Sequence, residues 1–403
     1  MKILLLNQYY PPDIPPTGRV LHDLAGFLVR EGHQVRVFCS KSSYGGGRKF
    51  DSSEILDGVE IQRVPACGFG RRTYAGKLLD YASFCVSLSV RLIFMRWRPD
   101  LVFCMTTPPY LGVLGKFAAL FRRCVYAHWI MDLYPDALYA RRSAQEDTDS
   151  QDHGKCLSRI LRALKKFELK GSRAVIAIGP DMAELAGRYT GGDVPWVPLW
   201  SGSNPVSPCD GCENDFRREL NAGEKLVLMY SGNMGMAHRF DEFIEAVSLT
   251  KNDETLMWVF AGGGRRLVEI EKFCAGYDGG NIRILPYAPA DRLPEHLCSA
   301  DVHLASMDES WKGCVVPSKL QGSFGVGRPV IFMGPSDSSI GRWIDESGGG
   351  WVVPNNDVPA LLHAIDQARD ASERRKRGCM ALDYARKYFD REKNCRRIAR
   401  FIA

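Results

Sequence analysis

Short apolar runs alternate with helix-length amphipathic stretches along this chain, and the alternation happens twice. In the first 200 residues the runs Lys2–Asn7, Gln34–Ser40, Leu101–Cys104, Cys124–Trp129 and Ala174–Ile178 predict strands. Between them Arg19–Glu31, Tyr74–Trp97, Leu111–Phe121 and Leu157–Lys170 predict helices. Strands that are apolar throughout and are spaced by helices form a parallel sheet covered on both faces. Right-handed crossovers then make the domain doubly wound. Residues 195–224 break the pattern with Pro195, Pro198, Gly202, Pro205, Pro208 and Gly211, which is linker composition. A second α/β set follows, with strands at Leu226–Ser231, Met257–Ala261, Ile282–Leu285, Val302–Ala305, Val330–Phe332 and Trp351–Val353. One long final helix is expected at about Glu373–Ile402. The expected architecture is two domains, 1–200 and 201–385, facing across a cleft, with the helix at about 386–403 able to pack back on the first. Ligands of such sheets bind beyond the carboxyl ends of the strands.

Composition excludes several classes. With 45% hydrophobic and 25% charged residues the chain can bury cores and is not disordered. Thirteen cysteines, an odd number set mostly in apolar runs, suit reduced thiols. The lone C-x-x-C pair, Cys209 and Cys212, lacks the second pair that zinc needs and reads as a loop. The opening Met1–Leu6 run is too short for an export signal. The apolar region Leu78–Met95 is interrupted by Asp80 and Arg91 and falls short of a membrane span. A cytoplasmic location follows, with the inner face of the membrane as an option. The formal charge of +6 is unevenly placed, at +8 in residues 1–200 and −2 in the remainder. It does not predict nucleic-acid binding. Six cations, Arg71, Arg72, Lys77, Arg91, Arg96 and Arg98, interleave with aromatic residues between 71 and 98, where Asp80 is the only acid. Such a helix can lie on an anionic membrane, or it can face the core with its charges solvated.

Several loops carry chemistry. Pro11–Arg19 joins the first strand to its helix, where Gly18 and Arg19 can approach an anion at the helix start. Tyr230–His238 follows the first strand of the second domain and offers Gly232, Asn233 and His238 to a diphosphate. Gly262-Gly263-Gly264 opens space for a ligand or makes a turn. In Val316-Pro317-Ser318-Lys319, Ser318 can cap a helix, and Lys319 stands against the helix dipole, which suggests a phosphate ligand. His128, Asp132 and Asp136 lie at a strand end, either as a site or as a hydrogen-bonded structural cluster. Asp147-Thr148-Asp149 could hold a metal, but its acidic surroundings in Ser143–Lys155 read as a solvated loop. No metal ligand is assigned.

At these residues the chain resembles the GT-B glycosyltransferases of family four, which are retaining nucleotide-sugar transferases. ILLLNQYYPPDIPPTGR, HWIMDLYPD, YSGNMGMAH, FAGGG, LPYAP, SADVHLASM, VVPSKL and GVGRPVIF follow in that family's order. The pattern is closest to bacterial surface-polysaccharide enzymes of the N-acetylfucosamine-transferase type. Two glutamates common in the family are replaced by Cys314 and Gly322, and its phosphate-loop Arg and Lys by Asn233 and His238. The resemblance implies a nucleotide, expected to be UDP, on the second domain. Backbone near Tyr287 and Ala288 would meet the base, and Gly232, Asn233, Gly263, His238, Ser318 and Lys319 would surround the diphosphate. Gly18 and Arg19 would approach from the first domain. His128 would bond the donor sugar or leaving phosphate, and Asp132 would orient His128, bind the acceptor hydroxyl or act as base. No cofactor or metal is implied, because Lys319 and backbone N–H groups would meet the developing charge. The implied acceptor is a lipid-linked or soluble glycan, including polyprenyl-diphosphate sugars. Two other functions fit the residues, a nucleotide-sugar epimerase on the same fold and a non-catalytic nucleotide-sugar-binding relative.

Overall fold

The computed structural model describes residues 1–13, 15–70, 73–143, 151–201 and 214–402. Cys209, Cys212, Asp147–Asp149, Arg71 and Arg72 lie outside them. The chain divides into two compact units. The first holds residues 1–139, 146–198 and 391–403, and the second holds 140–145 and 199–390.

In the first unit the order is β1 (Lys2–Leu6), α1 (Pro16–Arg30), β2 (Gln34–Ser40), β3 (Ser53–Leu56), β4 (Val59–Val64), α2 (Tyr74–Phe94), β5 (Leu101–Cys104) and α3 (Leu111–Arg122). After these come β6 (Val125–Trp129), α4 (Asp136–Ser143), α5 (Gln151–Leu169), β7 (Ala174–Ile176) and α6 (Pro180–Thr190). The sheet order is β3-β4-β2-β1-β5-β6-β7, so it reverses direction between β1 and β5. All pairings are parallel except β3 with β4. That pair is a hairpin outside the strands expected from the sequence. Its turn, Asp57-Gly58, takes positive φ at both residues (50° and 76°), as a two-residue hairpin requires. Leu4, Leu6, Phe38, Phe84, Leu88 and Val102 form one core between the sheet and its helices. Each such side chain contributes about 1.5–3 kcal/mol by burial.

The second unit begins with α7 (Asp215–Glu219). It continues with β8 (Leu226–Asn233), α8 (Asp241–Leu249), β9 (Leu256–Gly263), α9 (Leu267–Ala275), β10 (Ile282–Leu285), α10 (Leu293–Cys298), β11 (Val302–Ser306), α11 (Lys319–Gly325) and β12 (Val330–Met333). It ends with α12 (Ser339–Ser347), β13 (Gly350–Val353), α13 (Val358–Ala368) and α14 (Ala371–Tyr388). Its six strands are parallel in the order β10-β9-β8-β11-β12-β13, reversing between β8 and β11. Tyr230, Phe240, Phe243, Trp258 and Phe260 stack into an aromatic core beneath the β8 end.

The expected single final helix is two. It breaks at Phe389–Asp390 because Phe389 turns inward against Trp343 and Phe324. The second piece, α15 (Arg391–Ile402), belongs to the first unit. Arg30 bonds Glu392 at 2.9 Å, and Asn394 donates to the Pro198 carbonyl at 3.1 Å. The polar stretch Ser143–Lys155 is also less irregular than expected, since α4 runs to Ser143 and α5 starts at Gln151.

Candidate functional site

Strand order reverses between β8 and β11, so the loops leaving their carboxyl ends diverge and open a crevice there. The β8–β9 pairing continues through Gly232↔Gly262 and Asn233↔Gly263. A Cβ on Gly262 would sit 2.2 Å from the Gly232 carbonyl oxygen, and one on Gly264 2.5 Å from that of Met234. These glycines therefore let two backbone segments touch, a role that is neither the ligand space nor the simple turn that the sequence suggests. Gly232 itself has φ 122°, and a Cβ there would point at the Lys319 side chain, 3.6 Å from Cε.

Lys319 opens α11. Its ammonium donates to the Asn233 carbonyl at 3.0 Å, lies 3.2 Å from His238 Nε2 and sits 4.8 Å above the Tyr230 ring. His238 donates from Nδ1 to the Ser306 carbonyl at 2.6 Å, which leaves Nε2 as the acceptor facing Lys319. Burial, with the Lys319 charge beside it, holds His238 well below its ordinary value, so the ring is neutral. Desolvation also lowers the Lys319 ammonium, to about 7. Its charge would be recovered by an anion laid against it. Ser306 Oγ holds Arg239 from both sides, accepting from its N–H at 3.1 Å and donating to its carbonyl at 2.7 Å. The Arg266 guanidinium binds the His238 carbonyl. The sequence does not single out Ser306 or Arg266: Ser306 stands unremarked at the end of SADVHLASM, and Arg266 follows the glycine run with no motif of its own.

The structure thus brings Gly232, Asn233, His238 and Lys319 into one cluster. Gly263 and Tyr287 stand beside it, the exposed Tyr287 donating its hydroxyl to the Gly263 carbonyl at 3.2 Å. Ala288 is half-buried in the same loop after β10. Two expectations change. His238 is buried, and both its ring nitrogens face protein partners, so it supports Lys319 rather than facing a ligand. Ser318 precedes α11 but is exposed, and its side chain makes no cap hydrogen bond. At the positions of the family's glutamates, Cys314 is buried and Gly322 half-buried. Between them, buried Gln321 has its Oε1 without a hydrogen-bond partner among the described residues.

In the first unit the outcome differs. Gly18 is buried within α1. A Cβ there would lie 3.0 Å from the Tyr9 carbonyl oxygen, so the glycine admits the β1 loop against the helix. Arg19 is exposed, and Asp132 is half-buried. Asp136 accepts from the Tyr189 hydroxyl at 2.6 Å. His128 is fully buried on β6, and the Tyr126 hydroxyl lies 2.9 Å from its Nδ1. Glu168 stands 3.8 Å from the same nitrogen and pairs with Lys165, both fully buried. A Cβ on Gly112 would come within 2.3 Å of the Glu168 and Tyr126 oxygens, so α3 closes over the cluster. Burial outweighs the nearby Glu168 and drops His128 to about 4. The expectation that His128 meets the donor is corrected. The ring has no solvent-facing atom. Its Nδ1 meets Tyr126 and Glu168, a set different from the Asp132 and Asp136 cluster that the sequence suggests, and its Nε2 has no hydrogen-bond partner among the described residues. Among the described residues no three His, Cys, Asp or Glu side chains converge as metal ligands would, and the cysteines there are free thiols.

Comparisons with known proteins agree with this layout. Residues 17–199 match the glycosyl transferase 4-like domain, and residues 225–370 match the glycosyl transferases group 1 family. "Probable glycosyltransferase WbjE" of Pseudomonas aeruginosa is 26% identical over 371 residues, covering 91% of this chain and 89% of the relative. "Putative colanic acid biosynthesis glycosyl transferase WcaI" of Escherichia coli (strain K12) is 25% identical, covering 97% of each. The fold is shared with Anabaena Alr3699/HepE, solved in complex with UDP-glucose, at a TM-score of 0.69 and 12% identity over 99% of this chain and 98% of that one.

Proposed function

Because this chain is a GT-B glycosyltransferase, with a 4-like domain followed by a group 1 domain, we propose that it moves a sugar from a UDP-linked donor to a glycan acceptor in polysaccharide or glycoconjugate synthesis. The observation that carries this reading is the Lys319 cluster at the β8/β11 crevice. Departure of a nucleoside diphosphate builds negative charge, and a desolvated ammonium held beside glycine-rich backbone meets that charge without reorganisation. Gly232, Asn233 and Lys319 line the diphosphate in this reading, and Gly263, Tyr287 and Ala288 flank the base. No metal is invoked. The UDP-glucose complex of the HepE protein and the biosynthetic description of WcaI support a UDP donor and a glycan acceptor, lipid-linked or soluble.

Retention follows a front-face course in this proposal. The bond from the anomeric carbon to the leaving phosphate breaks, the acceptor oxygen bonds on the same face, and the leaving phosphate oxygen takes the acceptor proton. A carboxylate pair of the hydrolase kind is then not needed. Asp132 remains the side chain for binding the acceptor hydroxyl. His128 acts through the fold.

The test is a thermal-shift screen against nucleotide sugars, followed by product analysis with the stabilising donor and a membrane lipid extract. Stabilisation by a UDP-sugar and a product with retained anomeric configuration are expected. No stabilisation by any nucleotide would overturn the reading. Donor isomerisation without acceptor would favour an epimerase, and binding without sugar release a non-catalytic relative.

A further inference from the structure

On the first unit α4, α5 and α6 frame an open hollow of about 360 Å³, lined by Asp136, Arg162, Ala163, Lys166, Arg188 and Tyr189. Ligand pockets run from about 300 to about 1,000 Å³, so this one suits a single small group. Three cations reach it from two helices. Arg162 and Lys166 stand four apart on α5 and so share one face. Arg188 comes from the last turn of α6. Ala163 adds only a methyl group to the lining. Of the six residues only Asp136 belongs to HWIMDLYPD, and the cations stand in no motif.

The charges of the lining are unevenly engaged. Tyr189 is buried, and its hydroxyl donates to Asp136 at 2.6 Å, so the single acid has a donor of its own. The Arg162 guanidinium lies over the Tyr139 ring, 5.3 Å from its centroid, which holds it in place. Lys165 on the same helix turns inward and pairs with Glu168, whereas Arg162, Lys166 and Arg188 have no ion-pair partner among the described residues. Three positive charges against one negative attract an anion. Guanidinium forks match the paired oxygens of a carboxylate or a phosphate.

We propose that this hollow is a subsite for an acidic sugar of the acceptor glycan, with the cations on its carboxylate or phosphate and Ala163 and Tyr189 against its ring. Asp136 opens α4, four residues after Asp132 on the connection that leaves β6. Asp132 is the side chain placed on the acceptor hydroxyl, so the hollow stands on the acceptor's side of the reaction. Uronates and sugar phosphates are the two sources of such an anion. The assignment to the acceptor rests on the transferase reading, whereas the binding of an anionic sugar does not. The competing explanation is a set of solvated surface charges. It differs in one respect, because a concave site can be filled and a diffuse charge cannot.

The experiment titrates the full chain with glucuronate, glucose 6-phosphate and neutral glucose by calorimetry, with UDP present in excess so that the Lys319 site is occupied. The same titration on Lys319→Met isolates the hollow if UDP does not bind, so failure of the donor reading is seen separately. At least one anionic sugar should bind about tenfold or more tighter than glucose, the size of one charge-assisted hydrogen bond. The preferred one of the two identifies the substituent. R162Q/K166Q/R188Q should lower its affinity about tenfold or more. A163F, at an exposed position, fills the hollow without changing its charge and should do the same. D136N removes the one acid, keeps an acceptor for Tyr189 and should raise affinity about two- to fivefold. K49Q/R96Q/R98Q removes three exposed cations elsewhere in the first unit and should leave affinity within about twofold. In transfer to a membrane lipid extract, R162Q/K166Q/R188Q should need about tenfold more extract for half-maximal rate, with the donor KM unchanged. Thermal melts matching wild type show that the variants are folded, and A163F carries the test if the triple variant is not. No preference for either anionic sugar over glucose, an affinity that A163F leaves unchanged, or an equal loss with K49Q/R96Q/R98Q overturns the proposal. A raised donor KM in place of the extract effect overturns the assignment to the acceptor.

Discussion

The two units share a mainly parallel sheet that reverses at its centre, and each sets a histidine near that centre, His238 just after β8 at the reversal and His128 on β6, one strand away from it. They use that histidine differently. In the second unit His238 leans on the Ser306 carbonyl and turns its free lone pair to Lys319, which stays half-buried at the crevice. In the first unit His128 is enclosed by Tyr126, Glu168 and Lys165, and α3 closes over them through Gly112. What separates the two clusters is whether a neighbouring helix returns a charged pair to the histidine. α5 does so in the first unit, and α11 in the second delivers a single cation with no buried acid partner.

The largest effect should come from unbalancing the closed cluster. Glu168→Gln leaves the Lys165 charge buried without its partner and is expected to destabilise the protein by about 3–5 kcal/mol, read from urea unfolding. Lys165→Met with Glu168→Leu removes both charges and should recover most of that loss. A Glu168→Gln protein within about 1 kcal/mol of wild type would show that the pair is not a buried charge pair. The contrast with the second unit would then fail.

The open cluster should respond in ligand affinity instead. Lys319→Met is expected to weaken UDP binding by about 1.5–3 kcal/mol, the range of a charged hydrogen bond, with little change in stability. Lys319 sits at about 7 in the free protein because burial disfavours its charged form. Below that pH the cation is already present. Above it, binding the diphosphate must first take up a proton. Wild-type affinity should therefore fall as pH rises from about 7 to about 9, by up to about tenfold per unit. Calorimetry should show proton uptake on binding, and Lys319→Met should lose both signatures. A pH-independent wild-type affinity would remove Lys319 from the diphosphate site.

Backbone shape at the crevice is the next test. Gly232 has φ 122°, where an L side chain is strained, although the space beside it is open. Gly232→Ala should cost about 1–3 kcal/mol of stability and part of the UDP affinity. Unchanged melting and affinity would mean that the loop adapts.

Both architectures were legible in the sequence because central strands such as β1 and β5 in the first unit and β9 and β12 in the second are apolar on both faces, as parallel central strands are. The β3–β4 hairpin escaped although Asp57-Gly58 marks its turn, since short edge strands bury little and show a weak pattern. Lys319 was legible because a cation in the first turn of a helix opposes the dipole. His128 was read at the correct strand end but with the wrong surroundings. Its strand phase pairs it with Tyr126, and what covers that face is α5, whose Lys165 and Glu168 are about forty residues further on. Nothing local to HWIMDLYPD announces them. Likewise His238 reads as a loop ligand until Ser306, from another strand, claims its Nδ1.

The finest distinction between the two clusters is whether His238 touches the nucleotide or only places Lys319. His238→Gln keeps the Lys319 charge but cannot reproduce both ring contacts, the donation to Ser306 and the acceptance from Lys319, at the same geometry. For a positioning residue the expected loss is one ordinary hydrogen bond, about 0.5–1.5 kcal/mol or roughly two- to tenfold in UDP affinity. The pH dependence should survive, because desolvation rather than the histidine lowers the Lys319 ammonium. A loss as large as that of Lys319→Met, with the pH dependence abolished, would place His238 in direct contact with the phosphates. The second unit's histidine would then be a ligand, and its contrast with the enclosed His128 sharper still.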